Sequence, residues 1–466
     1  MRPLISFFAD TFANDKSPRV RAFLALIFAL HLTFSLFFVG AIPTHGGPDE
    51  SKHFAYVRQL VEDHALPVLT DPRATTDSRT GAIAQHPPLT YLVAAPFYAA
   101  TRGLGDKNCE RVLRLTAVMW AVLTLIFSWR LLRENFPDQL ALCLAALSFA
   151  ALLPHFLLLS SALNNDGPLI CFSAAFLWRW TRLCREKGDF RDWALLGVLW
   201  GLALLSKATA LLYIAPVFLV LAFQIARKTR SFADGARALG AFALPGLLLG
   251  GWWFARFYFM IGRIQPIPDF AEYKPLLLSG PLDLIFNPNA PILVGRFLAG
   301  AMRSIWGQVD WFFAPAQRDA MNQGFEFWPS LWGPTLPAPA LFPLTLALYR
   351  VAVVATVVAA LGLLIGFIKR RFEAPLRLLA LFFGLLYAAL AAYTLFKHPG
   401  FFEGGRYLLP ALPATAALWV FGMGFWIPRP KQKWLAPALL LFFTLWNIGC
   451  AVNLTQVLVP LYAPNG

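Results

Sequence analysis

Charge is scarce in this chain. Only 14% of its 466 residues are Asp, Glu, Lys or Arg, where a soluble domain carries roughly 25%. Acidic residues are the scarcer kind, 25 against 40 Lys and Arg. Cysteine is rare too. Cys109, Cys143, Cys171, Cys184 and Cys450 are irregularly spaced and form no C-x-x-C pair, which excludes a disulfide framework and gives no zinc signature. There is no low-complexity tract and no fixed-period repeat. Disorder, secretion and nucleic-acid binding by a basic soluble domain are all set aside by this composition.

Apolar length takes the place of charge. Hydrophobic residues make up 58% of the chain, and runs such as Val20–Ile42 and Val351–Ile368 carry few or no charges. Runs of about 20 apolar residues match the thickness of a bilayer core. The chain is therefore expected to be an all-α polytopic membrane protein. Val39-Gly40-Ala41 resembles a signal-peptide cleavage site. The apolar stretch before it exceeds the roughly 7–15 residues of a signal-peptide core, so an uncleaved first helix is expected. The net charge of +15 fits cytoplasmic loops rich in Lys and Arg.

That cation bias sets the topology. Arg2, Lys16, Arg19 and Arg21 place the N-terminus in the cytoplasm and the far end of the first helix outside. Segment 88–103 is apolar but short and begins at the Pro87-Pro88 pair. Counting it as a crossing would turn Arg130, Arg133, Arg179 to Arg191, the Arg227-Lys228-x-Arg230 loop and Lys369-Arg370-Arg371 outward, against the positive-inside bias. It is read as an external interfacial or re-entrant helix. Crossings are then expected at 20–42, 111–132, 138–160, 167–182, 192–206, 208–226, 236–260, 346–368, 374–396, 408–428 and 434–457, about eleven in all, with the C-terminus outside. This divides the chain into a membrane module 1–261 with a first external loop 43–110, a large external loop 262–345, and a second membrane module 346–466. Loops of that length are usually functional or carry helices of their own. Trp306, Trp311, Trp328 and Trp332 in the large loop are expected at the headgroup level.

Polar residues are costly in a membrane protein, so their placement is informative. They gather on the expected external side. Gly46-Gly47-Pro48-Asp49-Glu50 reads as a turn and helix start, with both acids in the first helical turn. Asp49, His53 and Tyr56 recur at i, i+4 and i+7 and share a face, which makes Asp49 a candidate base. His86 is held by Pro87 and Pro88 in an extended stretch. Asn164-Asn165-Asp166 reads either as a cap for the next helix or as a second acid facing the same cavity. Lys207 and Arg406 lie where external headgroups would be, placed either to hold a phosphate or to snorkel. Arg256, Arg303 and Arg350 are weaker candidates of the same kind. Asp49 with His53 offers two ligands to a divalent metal, too few to assign a site.

The order of these elements resembles the GT-C superfamily of integral membrane glycosyltransferases, which includes protein O-mannosyltransferases and lipid A aminoarabinose transferases. Pro48-Asp49-Glu50-x-x-His53-x-x-Tyr56 and His86-Pro87-Pro88-Leu89-x-Tyr91 match its first external loop. An uncharacterised bacterial branch is similar through Asn164-Asn165-Asp166, Leu205-Ser206-Lys207, Arg303-Ser304-Ile305-Trp306-Gly307-x-x-x-Trp311 and Gly405-Arg406-Tyr407-Leu408-x-Pro410. Asp310 stands where that branch has glycine. The resemblance implies a bacterial inner-membrane enzyme that moves a sugar from a polyprenyl-phosphate donor to a glycan, lipid or protein hydroxyl at the external face. In that scheme Asp49, with Glu50 beside it, is the catalytic acid pair and Asp49 the base. His53, Tyr56, His86, Asn165 and Asp166 line the acceptor cavity. Lys207 and Arg406 bind the donor phosphate, and inversion at the anomeric carbon follows from having no enzyme nucleophile. A lipid-linked glycan transporter and a non-catalytic partner in envelope glycan assembly are the competing readings.

Overall fold

The computed structural model describes residues 17–47, 49–68, 80–186, 188–262, 264, 278–306, 342–396 and 404–458. Among the described residues every regular element is helical. The first half holds α1 (Pro18–Ala41), α2 (Glu50–Glu62), α3 (Leu89–Thr101), α4 (Asp106–Asn135), α5 (Leu140–Leu152), α6 (Pro154–Leu159), α7 (Asp166–Glu186) and α8 (Phe190–Leu204). A short 3-10 helix, Ala208–Tyr213, leads into α9 (Ile214–Ala226), followed by α10 (Phe232–Gly246) and α11 (Trp252–Ile261). Then come α12 (Ala290–Ile305), α13 (Phe342–Ile368), α14 (Ala374–Phe396), the 3-10 helix Gly404–Ala411, α15 (Leu412–Trp426) and α16 (Leu435–Asn453).

Among the described residues, eight helical stretches are long and apolar enough to cross a membrane: Pro18–Ala41, Asp106–Asn135, Ala208–Ala226, Phe232–Ile261, Arg350–Ile368, Ala374–Phe396, Arg406–Trp426 and Arg429–Gln456. The chain is a multi-pass membrane protein. The other three expected crossings are helical but fall short of that standard. α7 carries Asp166, Arg179, Arg182, Arg185 and Glu186, α8 has 15 residues, and 138–160 is not one helix but breaks at Leu153. Leu153 is extended at ψ 119°, and Pro154 has no N–H to continue the ladder. Two other helices take up the carbonyls left free there. His31 of α1 donates through Nδ1 to Ala151 O at 2.7 Å, and Asn447 of α16 donates to Leu152 O at 2.8 Å. In an apolar solvent a freed backbone group must find such a partner.

Close packing holds the bundle, since lipid supplies no hydrophobic drive between helices. α4 packs on α7, α7 on α8 and α8 on α10, while α5 packs on α15 and α16. Gly197 and Gly201 of α8 lie against Gly246 and Gly250, each pair spaced as small-xxx-small. A Cβ at Gly197 would sit 2.1 Å from Phe242 O, and one at Gly250 2.5 Å from Leu204 Cβ. Larger side chains there would force the helices apart.

At one end of the bundle a smaller apolar core forms. Phe54, Tyr56, Val57, Ile83, Tyr91, Ala94, Tyr98, Cys109, Leu113 and Leu163 pack together there. It joins α2 and α3, the latter being the helix expected within 88–103, to the start of α4. Trp306 departs from its expected place at the headgroups. It is 1% exposed and packs among Phe149, Trp419, Phe443 and Trp446, because α12 runs back against the bundle. Pro48, Lys187, Asp310, Trp311, Trp328 and Trp332 lie outside the described residues.

Candidate active site

The site is built where four chain breaks meet at that end: the start of α2, the start of α3, the corner before α7 and the corner after α8. Asp49 is the residue before α2, not part of its first turn. Its backbone is left-handed, φ 52° and ψ 18°, and its carboxylate makes no capping hydrogen bond. An N-cap Asp normally has extended backbone and bonds an N–H of the first turn. A non-glycine residue held in the left-handed region costs of order 1–3 kcal/mol, a strain that clusters at functional sites. Asp49 is thus held in an unfavourable conformation with its carboxylate left for another partner. That partner is Arg406, whose Nη2 lies 3.9 Å from Asp49 Oδ2. The Arg406 side chain is 14% exposed and that of Asp49 41%.

Arg406 comes from the 3-10 helix before α15, and Tyr407 beside it ties it to the second cation. Arg406 donates to Tyr407 OH at 3.0 Å. Lys207 Nζ stands 4.7 Å from the centre of the Tyr407 ring. Lys207 has extended backbone between α8 and the Ala208–Tyr213 turn, and its ammonium bonds Asp166 Oδ1 at 2.6 Å. Both partners are buried, which sets aside the snorkelling alternative for Lys207. Asp166 does not cap α7. Asn164 does so, its Oδ1 accepting from Asp166 N and Gly167 N at 2.9 and 3.1 Å. Asp166 is therefore free for Lys207. Asn165 donates to Ser206 O at 3.4 Å and links the two corners.

Beneath these charges lies an aromatic floor. His53 Nδ1 and Tyr91 OH are 2.8 Å apart, the Tyr56 and Tyr91 rings stack at 3.7 Å, and Tyr56 OH donates to His86 O at 3.3 Å. The His53 and His86 rings stack at 6.3 Å. Leu89 N donates to Leu205 O at 3.1 Å, which pins the start of α3 to the Lys207 corner. Burial pushes His53 down to about 4, opposed by Asp49 and Asp166 and reinforced by Lys207 and Arg406. Burial also takes His86 well below the usual histidine range, with Lys207 adding to it. Both histidines are neutral at pH 7, so the surrounding charges are Asp49, Asp166, Lys207 and Arg406.

Glu50 departs from its expected place beside Asp49. It is fully buried and its carboxylate is saturated. It accepts from Arg114 Nε and Nη2 at 2.8 and 2.7 Å, from Leu163 N at 2.8 Å and from Gly47 N at 2.8 Å. Arg114 also donates to Val39 O, Ile42 O and Pro43 O and to Glu110, which pairs with His45. A carboxylate with every lone pair engaged inside an ion network has no capacity left to take a proton from substrate. Glu50 locks the turn that carries Asp49 to the end of α1 and the start of α4. Arg256 donates to Pro67 O at 3.0 Å and lies close enough to Tyr56 for its charge to act on it, so it borders the aromatic floor, while Arg350 is exposed. Among the described residues no group of three or more His, Cys, Asp and Glu side chains is placed to hold a metal ion.

Arg114, Glu110 and Tyr407 were not singled out in the sequence. Arg114 had a signal, a lone arginine inside an apolar helix with Glu110 one turn before it.

Residues 85–248 match the family described as dolichyl-phosphate-mannose-protein mannosyltransferase. That stretch includes His86, Asn165, Asp166 and Lys207 and leaves out Asp49 and Arg406. No curated protein matches the chain. Solved structures share the fold, two of them as follows. ArnT from Cupriavidus metallidurans bound to undecaprenyl phosphate superposes with a TM-score of 0.52 at 15% identity, over 94% of this chain and 77% of that one. The Archaeoglobus fulgidus oligosaccharyltransferase in complex with Zn and sulfate superposes with a TM-score of 0.50 at 16% identity, over 91% of this chain and 53% of that one.

Proposed function

The chain has the fold of the GT-C superfamily of integral membrane glycosyltransferases, and from that premise we propose that it transfers a sugar from a polyprenyl-phosphate donor to an acceptor hydroxyl at the external membrane face. One observation carries the reading. A strained, half-exposed carboxylate, Asp49, stands 3.9 Å from Arg406, and Tyr407 next to Arg406 carries the ammonium of Lys207 over its ring, so two cations from separate segments gather at the carboxylate's end of the site.

Asp49 takes the proton of the acceptor hydroxyl as its oxygen forms a bond to the anomeric carbon. The bond from that carbon to the phosphate oxygen breaks, and the electron pair leaves with the lipid phosphate. Lys207 and Arg406 stabilise that charge, and they do so best as fixed groups in a site shielded from water. With no enzyme nucleophile, the anomeric carbon inverts. Asp166 holds the Lys207 ammonium in place, and the His53–Tyr91–Tyr56 floor supplies a neutral wall with few groups able to compete for the proton. Binding of undecaprenyl phosphate by the ArnT structure supports a polyprenyl-phosphate donor. Each step runs on residues of the chain, with no metal assigned a part.

The test is reconstitution in liposomes with a polyprenyl phosphate bearing a radiolabelled sugar and an external acceptor extract. Label should leave the lipid and appear in a glycosidic bond of opposite anomeric configuration. Label that crosses the membrane still attached to its lipid would support the transporter instead and overturn the proposal.

A further inference from the structure

A second polar site lies at the other end of α8, about 22 Å from Lys207 along a 15-residue helix. There the starts of α8 and α10 flank an open cavity of about 740 Å³, lined by Asp189, Phe190, Trp193, Arg230, Asp234 and Arg237 among others. The glycosyl-transfer site makes no use of it. Arg230 is held from two directions. Its Nε donates to Gln224 Oε1 at 3.0 Å, and its guanidinium lies 5.6 Å from the centre of the Trp193 ring. Its Nη2 is buried and has no hydrogen-bond partner among the described residues. A buried donor of a charged group without a partner is costly and calls for an explanation.

The other walls narrow the choice of ligand. Two guanidinium groups, Arg230 and Arg237, are balanced by two carboxylates, Asp189 and Asp234. Asp234 is fixed by Ser231, whose hydroxyl donates to it at 2.7 Å, and Arg237 lies 3.7 Å from it. Asp189 accepts from Asp192 N at 2.9 Å. A simple anion would be drawn to the arginines and repelled by the carboxylates. A zwitterion answers both. Phe190 and Phe232, the first residues of the two helices, are 69% and 77% exposed, and α10 opens a candidate membrane span. The cavity thus sits where apolar surface gives way to charge, at the start of a candidate membrane span.

We propose that this cavity binds the headgroup of a zwitterionic aminophospholipid, with its phosphate on Arg230 and Arg237 and its primary ammonium on Asp189 and Asp234. The ammonium donates hydrogen bonds to the carboxylates, which a trimethylammonium group cannot do. Phe190 and Trp193, which line the cavity, lie against the glycerol and upper acyl chain.

The test uses the full chain, delipidated in detergent and titrated with phosphatidylethanolamine, phosphatidylcholine or phosphatidylglycerol of matched acyl chains, with bound lipid counted by native mass spectrometry. Phosphatidylethanolamine should bind about tenfold or more tightly than either of the others. Asp234→Asn should reduce it to the level of phosphatidylcholine. Arg237→Gln, at a side chain 80% exposed and so safe for folding, should weaken phosphatidylethanolamine and phosphatidylcholine alike, and Arg230→Gln should do so more strongly. Equal binding of the three lipids by the wild type, or tighter binding of phosphatidylglycerol, overturns the proposal. So does an ethanolamine preference that survives Asp234→Asn, or phosphatidylethanolamine binding that Arg237→Gln leaves unweakened, in proteins of native helical content.

Discussion

Asp49 keeps 41% of its side chain exposed and meets Arg406 across 3.9 Å, whereas Glu50, the next residue, is fully buried and gives both its oxygens to Arg114, Gly47 and Leu163. The two carboxylates share a motif and a charge. Their environments assign them opposite work. The left-handed backbone at Asp49 turns its side chain away from the helix start, and Glu50 begins the helix and anchors it. An acidic pair in a sequence is therefore not a pair in chemistry until each partner's surroundings are known.

Variants of the buried member should cost the most stability. Glu50→Gln takes from buried Arg114 its two-pronged charged partner and leaves it Glu110 alone, and breaking such a buried pair costs about 3–5 kcal/mol. Denaturant unfolding in detergent measures this, and a loss of under about 1 kcal/mol would place Glu50 outside the structural lock. Arg406→Ala comes next. Removing one charge-assisted contact to the donor phosphate should cost roughly 1.5–3 kcal/mol, a weakening of about tenfold or more in donor KM or turnover. Lys207→Ala should do the same and also strand Asp166 without its ammonium, so its stability should fall with its activity. Lys207→Ala combined with Asp166→Asn should recover stability without recovering turnover.

The smallest effect is on acid stability. His53 is held at about 4 in the folded protein, below the 6.5 of an unburied histidine. The folded state therefore binds fewer protons than the unfolded state between those values. The stabilisation is complete above about pH 6.5 and is lost as the pH falls toward about 4. His86 adds a loss of the same sign. Thermal midpoints taken from pH 7.5 down to 5 should decline, and His53→Asn should flatten the decline.

Much of the fold was legible because membrane helices announce themselves by apolar length. Each expected crossing falls on a helical segment, and the short stretch opening on Pro87-Pro88 became α3, packed on α2. The break at Leu153 was less visible. Pro154 signals it, but the carbonyl partners that make it tolerable, His31 and Asn447, are far away in sequence. Span count was the weakest point, since α8 and α5 are helical without being long. In the site, the polar residues were legible as polar groups at one end of apolar runs. Their pairings were not. Asn164 rather than Asp166 caps α7, and Arg114 reaches back 64 residues to Glu50. The first is a local choice among neighbouring residues with the same capping chemistry, and the second depends on which helices lie side by side.

The central claim is that Asp49 is the base and Glu50 is not. Asp49→Asn keeps the shape of the side chain and removes its ability to take a proton. The decisive measurement is the rate of sugar transfer by reconstituted Asp49→Asn at saturating donor, with unfolding stability recorded on the same preparation. The prediction is a rate lower by about 10²–10⁴-fold in a protein as stable as the wild type, with donor affinity nearly unchanged. Wild-type transfer rates from a well-folded Asp49→Asn protein would contradict it.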